Sequence, residues 1–306
     1  MRVAVAMSGG VDSTASALIL RKEGHEVVGL HMELHSLSHQ SWERARQVGT
    51  DLGIPVYQVD LKSEFTEQVV GSFVREYIRG RTPSPCLICN HTIKMTRLWE
   101  VAASYGSRKL ATGHYARVQC TKEGPILLKG LDAKKDQSYF LALLNREMLS
   151  RVVFPLGEYT KEFAKSLLKQ NGIRGYQFDE SQELCFVPDG DYKAFLARMG
   201  YVSHPGPIVD VAGTLLGEHS GIEHFTIGQR KGLGVSAPYP LYVVGIDPDK
   251  HMVIVGARED TFVNRLTANQ MNFLQDFPPS VDQQFHIKVR STSKPEICTV
   301  VDRTFM

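Results

Sequence analysis

Three groups of residues have the types and spacing to do chemistry. The first is Ala6 to Ser13, reading A-M-S-G-G-V-D-S, directly after the apolar run Val3-Ala4-Val5. A strand that runs into two glycines and then a helical pattern leaves backbone N–H groups unpaired at the helix start, aimed at an anion. Gly9 and Gly10 let the backbone approach that anion closely, and Ser8 and Ser13 add hydroxyl donors. The carboxylate of Asp12 would repel bare phosphate, so it makes sense as a ligand for Mg2+ bridging the phosphates. The Gly-Lys-Ser/Thr ending of a Walker loop is absent from the chain, which argues against γ-phosphoryl transfer.

The second group is T-P-S-P-C-L-I-C-N, which places Cys86 and Cys89 on a proline-stiffened loop before a helix whose N-cap would be Asn90. There, near Lys94 and Arg97, the helix field favours nucleophilic sulfur. One C-x-x-C also fits a redox pair, half a zinc site completed by His91 and His114, or part of an iron–sulfur site. The third group is dispersed. Cys185 lies in S-Q-E-L-C-F, where a buried, inert cysteine is the ordinary alternative. Thr112-Gly113-His114-Tyr115 follows a predicted strand, so His114 should project at the carboxyl edge of a sheet. Asp132 to Tyr139, D-A-K-K-D-Q-S-Y, is either a solvated loop or a cluster suited to phosphate and base contacts. G-L-G-V-S-A at 232–237 imitates a dinucleotide fingerprint, but Pro238 and Pro240 stand where its helix would begin.

Such groups need a scaffold, and the first half of the chain supplies one. Apolar runs at Arg2–Ala6, Val27–Met32, Val56–Val59 and Lys109–Thr112 alternate with helical patterns at about Asp12–Lys22 and Ser41–Leu52, predicting an α/β, doubly wound parallel sheet. Beyond about Gly200, frequent Gly and Pro with short alternating runs predict small β-rich modules. The chain has 306 residues, 42% hydrophobic and 22% charged, with no apolar stretch near the roughly 20 residues that span a membrane. The N-terminus leads straight into a strand, and the reading is a cytoplasmic protein. Five cysteines, an odd number in a chain of this size, do not suggest a disulfide framework. The net charge is only +2, yet Arg75 to Lys135 holds twelve Lys/Arg against four Asp/Glu, a local +8 that suits a polyanion.

S-G-G-x-D-S resembles the turn of ATP pyrophosphatases, which cleave ATP to AMP and pyrophosphate while adenylating a carbonyl oxygen. Over nearly the whole chain, the motifs M-S-G-G-V-D-S (7–13), G-R-T-P-S-P-C-L-I-C-N (80–90), A-T-G-H-Y-A-R (111–117), G-L-D-A-K-K-D-Q-S-Y-F-L (130–141), E-L-C-F (183–186) and T-I-G-Q-R-K-G-L-G (226–234) resemble the tRNA-specific 2-thiouridylases. That family replaces the C2 oxygen of the wobble uridine of tRNA with sulfur. The resemblance implies an adenine nucleotide alpha hydrolase-like domain over 1–198, a central β-rich domain over 199–258 and a shortened β-barrel-like module over 259–306. It matches Cys89 to the nucleophile and Cys185 to the persulfide carrier. It matches Ala6, Met7, Ser8, Gly9, Gly10, Val11, Asp12, Ser13, Met32 and Gly113 to ATP contacts. Ser84, Pro85, Cys86, His114, Lys135, Asp136 and Gln137 match positions facing the tRNA.

The cofactors implied are ATP and Mg2+, the latter on Asp12. An alternative chemistry holds an iron–sulfur cluster on Cys86, Cys89 and Cys185. The partners implied are tRNA and a sulfur-donor protein, a cysteine desulfurase or a sulfur carrier. A paralogue thiolating another base or a small metabolite, or a tRNA-binding or sulfur-carrier protein without turnover, is the competing reading. The chain ends inside what the resemblance makes the final barrel, with Thr292-Ser293 in place of an aromatic and basic contact. The expectation is a reduced module after about Glu259 that packs on the central domain or pairs across a homodimer.

Overall fold

The computed structural model describes residues 1–35, 39–173, 184–187, 190–275 and 278–302. Contacts divide the chain into two units that do not follow chain order: 1–66, 86–180 and 271–306 form the first, 67–85 and 181–270 the second.

The first unit is built on a parallel sheet. Its strands are β1 (Arg2–Ala6), β2 (Glu26–Glu33), β3 (Val56–Asp60), β4 (Lys109–Ala111) and, after the antiparallel hairpin β5 (Ala116–Thr121) and β6 (Gly124–Lys129), β7 (Val152–Val153). The order is β3-β2-β1-β4-β7, with every pair parallel. The chain therefore runs outward from β1 to β3 and returns to the other side of β1 as β4, which makes the carboxyl ends of β1 and β4 the switch point where ligands bind in such sheets. Val3, Ala4 and Val5 are fully buried because both faces of the sheet are covered.

The helix Val11–Lys22 buries nine of its residues, and Gly24 ends it at φ +80, with its N–H donating to the Arg21 carbonyl at 3.0 Å. Ala15 and Leu18 share a core cluster with Val48 and Leu52 of the helix His39–Leu52 and with Ala164 and Leu168 of the helix Lys161–Gln170.

One local expectation is corrected. The helical backbone starts at Pro85, in the segment Pro85–Ile88, and runs on through Cys89–Leu98 and Trp99–Ser104, so Asn90 is inside the helix and is not its N-cap. Proline suits the first helical position because the N–H it lacks would be unpaired there anyway. The stretch Cys89–Leu98 is wound wide, in i→i+5 fashion, a geometry often found at functional sites.

The C-terminal hairpin, β12 (Gln284–Ile287) with β13 (Glu296–Thr299), also belongs to the first unit. Its segment is held there by Arg146, whose Nε and Nη2 donate to the Leu274 carbonyl at 2.9 and 2.7 Å. The Nδ2 of Asn272 donates to the Ala142 and Leu144 carbonyls, each at 2.9 Å.

The second unit holds the sheet β10-β11-β8-β9, made of Tyr242–Asp247, Met252–Gly256, Gly206–Asp210 and Leu215–His219. Ile208, Ile222, Phe225, Leu241, Val243, Val253 and Val255 form its core. Phe73 of the helix Gly71–Ile78 meets Phe186 edge to face at 5.2 Å, which pins the residue following Cys185. No helix among the described residues is long and apolar enough to cross a membrane.

Candidate functional site

The turn after β1 is closed by its own side chains. Thr14 Oγ1 donates to the Gly10 carbonyl at 2.7 Å and Ser13 Oγ to the same carbonyl at 3.2 Å. Ser13 Oγ accepts the Ser8 N–H at 3.2 Å and lies 3.1 Å from Ser8 Oγ. The two serines expected to donate outward are thus tied to each other and to the backbone they shape.

Gly9 sits at φ +75, and a β-carbon there would lie 2.6 Å from Arg44 Cβ and 2.7 Å from Ala45 N, so helix His39–Leu52 runs against the turn. Gly113, from the loop after β4, approaches from the other side. A β-carbon on it would lie 2.8 Å from the backbone carbon and Cβ of Asp12 and 2.9 Å from Ser13 N. The two loops of the switch point therefore touch, which brings together the glycine-rich turn and Gly113.

Asp12 is the electrostatic centre of this arrangement. Lys161 Nζ donates to its Oδ1 at 2.8 Å and its Oδ2 at 2.9 Å, and the Tyr115 hydroxyl donates to Oδ1 at 2.8 Å. The lysine side chain is 6% exposed and that of Asp12 35%. Neither Tyr115 nor Lys161 stands out in the sequence as a partner of Asp12. The only signal at Lys161 is structural: Thr160 is an N-cap whose Oγ1 accepts the Phe163 N–H at 3.2 Å, which fixes Lys161 at the first helical position. A carboxylate offers about four acceptor positions, so three hydrogen bonds leave one on Oδ2 for a metal ion. That suits Mg2+, which takes one or two carboxylates and completes its shell with phosphates and water.

The residues read as tRNA-facing divide into two kinds. Asp136 and Gln137 serve the loop itself: Asp136 Oδ1 accepts the N–H groups of Gly130 and Ser138 at 3.1 and 3.2 Å, and Gln137 Oε1 accepts the Tyr115 N–H at 3.1 Å. The Gln137 N–H returns a bond to the Tyr115 carbonyl at 2.9 Å. This reciprocal pair holds the tyrosine that grips Asp12. His114 Nδ1 lies 2.6 Å from Thr112 Oγ1, and its ring meets Phe154 edge to face at 5.9 Å. Burial, helped by the nearby charge of Lys94, pushes its pKa well below the ordinary histidine value, so the ring is neutral at physiological pH.

Cys86 is exposed and Cys89 buried at the helix start, and Cys185 is exposed in the second unit. Asn90 Nδ2 donates to the Phe140 carbonyl at 2.8 Å, which ties the cysteine-bearing helix to the segment after D-A-K-K-D-Q-S-Y. Among the described residues, no three His, Cys, Asp or Glu side chains are grouped to hold a metal ion.

Two family models match. Residues 1–189 match the tRNA methyl transferase HUP domain and residues 193–257 the tRNA methyl transferase PRC-barrel domain. The tRNA-specific 2-thiouridylase MnmA of Syntrophotalea carbinolica is 44% identical over 98% of this chain and 87% of its own length. The chain belongs to the tRNA-specific 2-thiouridylase family. A second 2-thiouridylase, from Geobacter metallireducens, is 43% identical over 98% of this chain and 86% of its length. Among solved structures, a U34-tRNA thiolase from Methanococcus maripaludis is similar at 17% identity over 65% of each chain, with a TM-score of 0.42. The 2-thiouridylase family thus spans both units, and the parallel sheet with the glycine turn falls inside its HUP domain.

Proposed function

We propose that this chain thiolates C2 of the wobble uridine of tRNA, using ATP to activate the C2 oxygen. A urea-like carbonyl is a poor electrophile, and adenylation converts its oxygen into the oxygen of a good leaving group, AMP. The turn Ala6–Ser13 with Met32 and Gly113 binds the nucleotide, and Asp12 would hold Mg2+, which neutralises phosphate charge when bound.

A persulfide on Cys185 attacks C2 with its terminal sulfur and AMP departs with the C2 oxygen. The Cys89 thiolate then attacks the Cys185 sulfur and breaks the S–S bond. Sulfur stays on the base as a C2 thiocarbonyl, and a Cys89–Cys185 disulfide remains, which an external thiol reduces. The persulfide sulfur comes from a donor protein, a cysteine desulfurase or a sulfur carrier. Cys86, His114 and Lys135, with Ser84 and Pro85, face the tRNA, while Asp136 and Gln137 support that face from within.

The observation that carries this reading is the pairing, in a chain 44% identical to a 2-thiouridylase, of a nucleotide turn at the sheet's switch point with a cysteine at the start of a widened helix. Methyl transfer to tRNA, the activity for which the matching HUP and PRC-barrel families are named, is the second reading. Incubating the protein with ATP, Mg2+, a persulfide donor, a sulfonium methyl donor and unthiolated tRNA, followed by nucleoside mass spectrometry, separates them. A 2-thiouridine product that requires ATP supports thiolation. A methylated nucleoside, or no sulfur incorporation under any donor, would overturn it.

A further inference from the structure

The ion pair between Asp12 and Lys161 raises a question that the nucleotide reading alone does not answer. A carboxylate at the first turn of the helix after β1 stands where an anion should bind, and its own charge opposes that anion. The chain answers with a buried ammonium that spans both carboxylate oxygens at 2.8 and 2.9 Å. Lysine heads are rarely buried to 6% exposure without a paired charge, because the desolvation is costly.

The ammonium is also held in position by its own backbone. The Lys161 N–H donates to Asp132 Oδ2 at 3.1 Å, Thr160 caps the helix, and Ala164 and Leu168 of that helix lie in the core beside Ala15 and Leu18. Tyr115, the second donor to Asp12, is locked by its reciprocal bonds with Gln137. Two segments far apart in sequence, 115–137 and 160–161, thus converge on one carboxylate.

We infer that Lys161 is a positioning residue whose ammonium neutralises Asp12 in the nucleotide-free turn and supplies metal-independent attraction for pyrophosphate. Mg2+ held by Asp12 would assume most of that charge, so the contribution of Lys161 is largest without metal. The inference rests on reading the turn as a nucleotide site. A merely structural ion pair makes the opposite forecast, since loss of either partner would then loosen the turn alike.

The test is binding of inorganic pyrophosphate by calorimetry at low salt, in EDTA and in Mg2+. Without metal, Lys161→Met should weaken binding about tenfold or more, the equivalent of removing one charge-assisted hydrogen bond, while Lys161→Arg keeps most of the affinity. Asp12→Asn, which preserves shape and removes the opposing charge, should tighten metal-free binding and abolish the enhancement by Mg2+. In Mg2+, the affinity of Lys161→Met should fall several-fold less than it does in EDTA. Weaker metal-free binding by Asp12→Asn, or an equal weakening of Lys161→Met in both buffers, would overturn the inference. Thermal midpoints of all variants establish folding, and Asp12→Asn decides the sign even if Lys161→Met does not fold. Because pyrophosphate binding needs no tRNA, failure of the thiolation assay with this pattern intact would count against the substrate reading alone.

Discussion

Gly113 leaves no room for a side chain against Asp12: a β-carbon there would lie 2.8 Å from both the backbone carbon and the Cβ of Asp12. The loop after β4 and the turn after β1 touch through their backbones, and the obstacle is main chain, not the movable end of a side chain. Gly113→Ala should therefore push the two loops apart. Overpacking of this kind costs about 1–3 kcal/mol, and the displaced turn should raise the KM for ATP more than it lowers the thermal midpoint. Parallel melting curves and ATP titrations check this, and an unchanged KM would show that the close approach is irrelevant to the nucleotide.

The two proposed sulfur-handling cysteines should fail in different ways. Cys185→Ser should carry no persulfide after exposure to a donor, because it lacks the accepting sulfur. Cys89→Ser should still accept sulfur at Cys185 but stall with the base linked to it, because no thiol is present to break the S–S bond. Intact-protein mass spectrometry after a single turnover reads both species. Full thiolation by either variant would refute the division of roles.

His114 makes a pH prediction whose sign follows from its burial. Its pKa in the folded protein is held well below the unfolded value near 6.5, so the folded state favours the neutral ring. The stability this provides is fully present above the unfolded pKa and is lost as pH falls through it toward the folded one. His91, His219 and His224 are lowered as well, chiefly by burial, and act in the same direction. The thermal midpoint should be nearly flat at neutral pH and fall on acidification below about pH 6.5. His114→Gln, at a lower starting stability, should show a shallower acid slope, and an identical slope would remove His114 from the account.

Much of the frame is legible in the sequence because it is local. The strand, glycine turn and helix at 2–22 follow from an apolar run, two glycines and a helical pattern, and the structure has Arg2–Ala6 and Val11–Lys22. What is not legible depends on partners distant in the chain. Lys161 reads as an ordinary helix-start lysine until the fold brings it to Asp12, and Tyr115 reads as one more aromatic after a strand. Asp136 and Gln137 look like surface residues because their types suit RNA, yet Gly130, Ser138 and Tyr115 use their acceptors. Asn90 looks like a cap because Asn favours that position. Pro85, which tolerates the first helical turn, moves the start forward and leaves Asn90 to bond Phe140. The C-terminal hairpin is hard to place for the same reason: its anchors, Arg146 to Leu274 and Asn272 to Ala142, join residues 128 and 130 positions apart.

The basic stretch from Arg75 to Lys135 has a local charge of +8. The structure distinguishes among its cations. Arg97 is already flanked by Glu100 at 3.0 Å and Glu64 at 3.7 Å, Arg81 and Arg79 share Glu76 at 3.5 and 3.6 Å, and Arg117 meets Glu158 at 3.4 Å. Partners of that kind lower the local potential a polyanion meets. Lys94 lies near enough to His114 to help lower its pKa and sits on the cysteine-bearing helix itself. Charge reversal at Lys94 should therefore weaken tRNA binding more than reversal at Arg97. It should also weaken binding more than reversal at Lys288 or Arg290, near the C-terminal hairpin. Each phosphate interaction removed should reduce the slope of log affinity against log salt by about 0.7 to 0.9. Filter binding across a salt series reads both quantities. Equal weakening at Lys94 and Lys288 would place a main tRNA-binding surface on the hairpin. A larger effect at Arg97 than at Lys94 would mean that tRNA displaces Glu64 and Glu100 from the arginine, which a Glu100→Gln variant would then reveal as tighter binding.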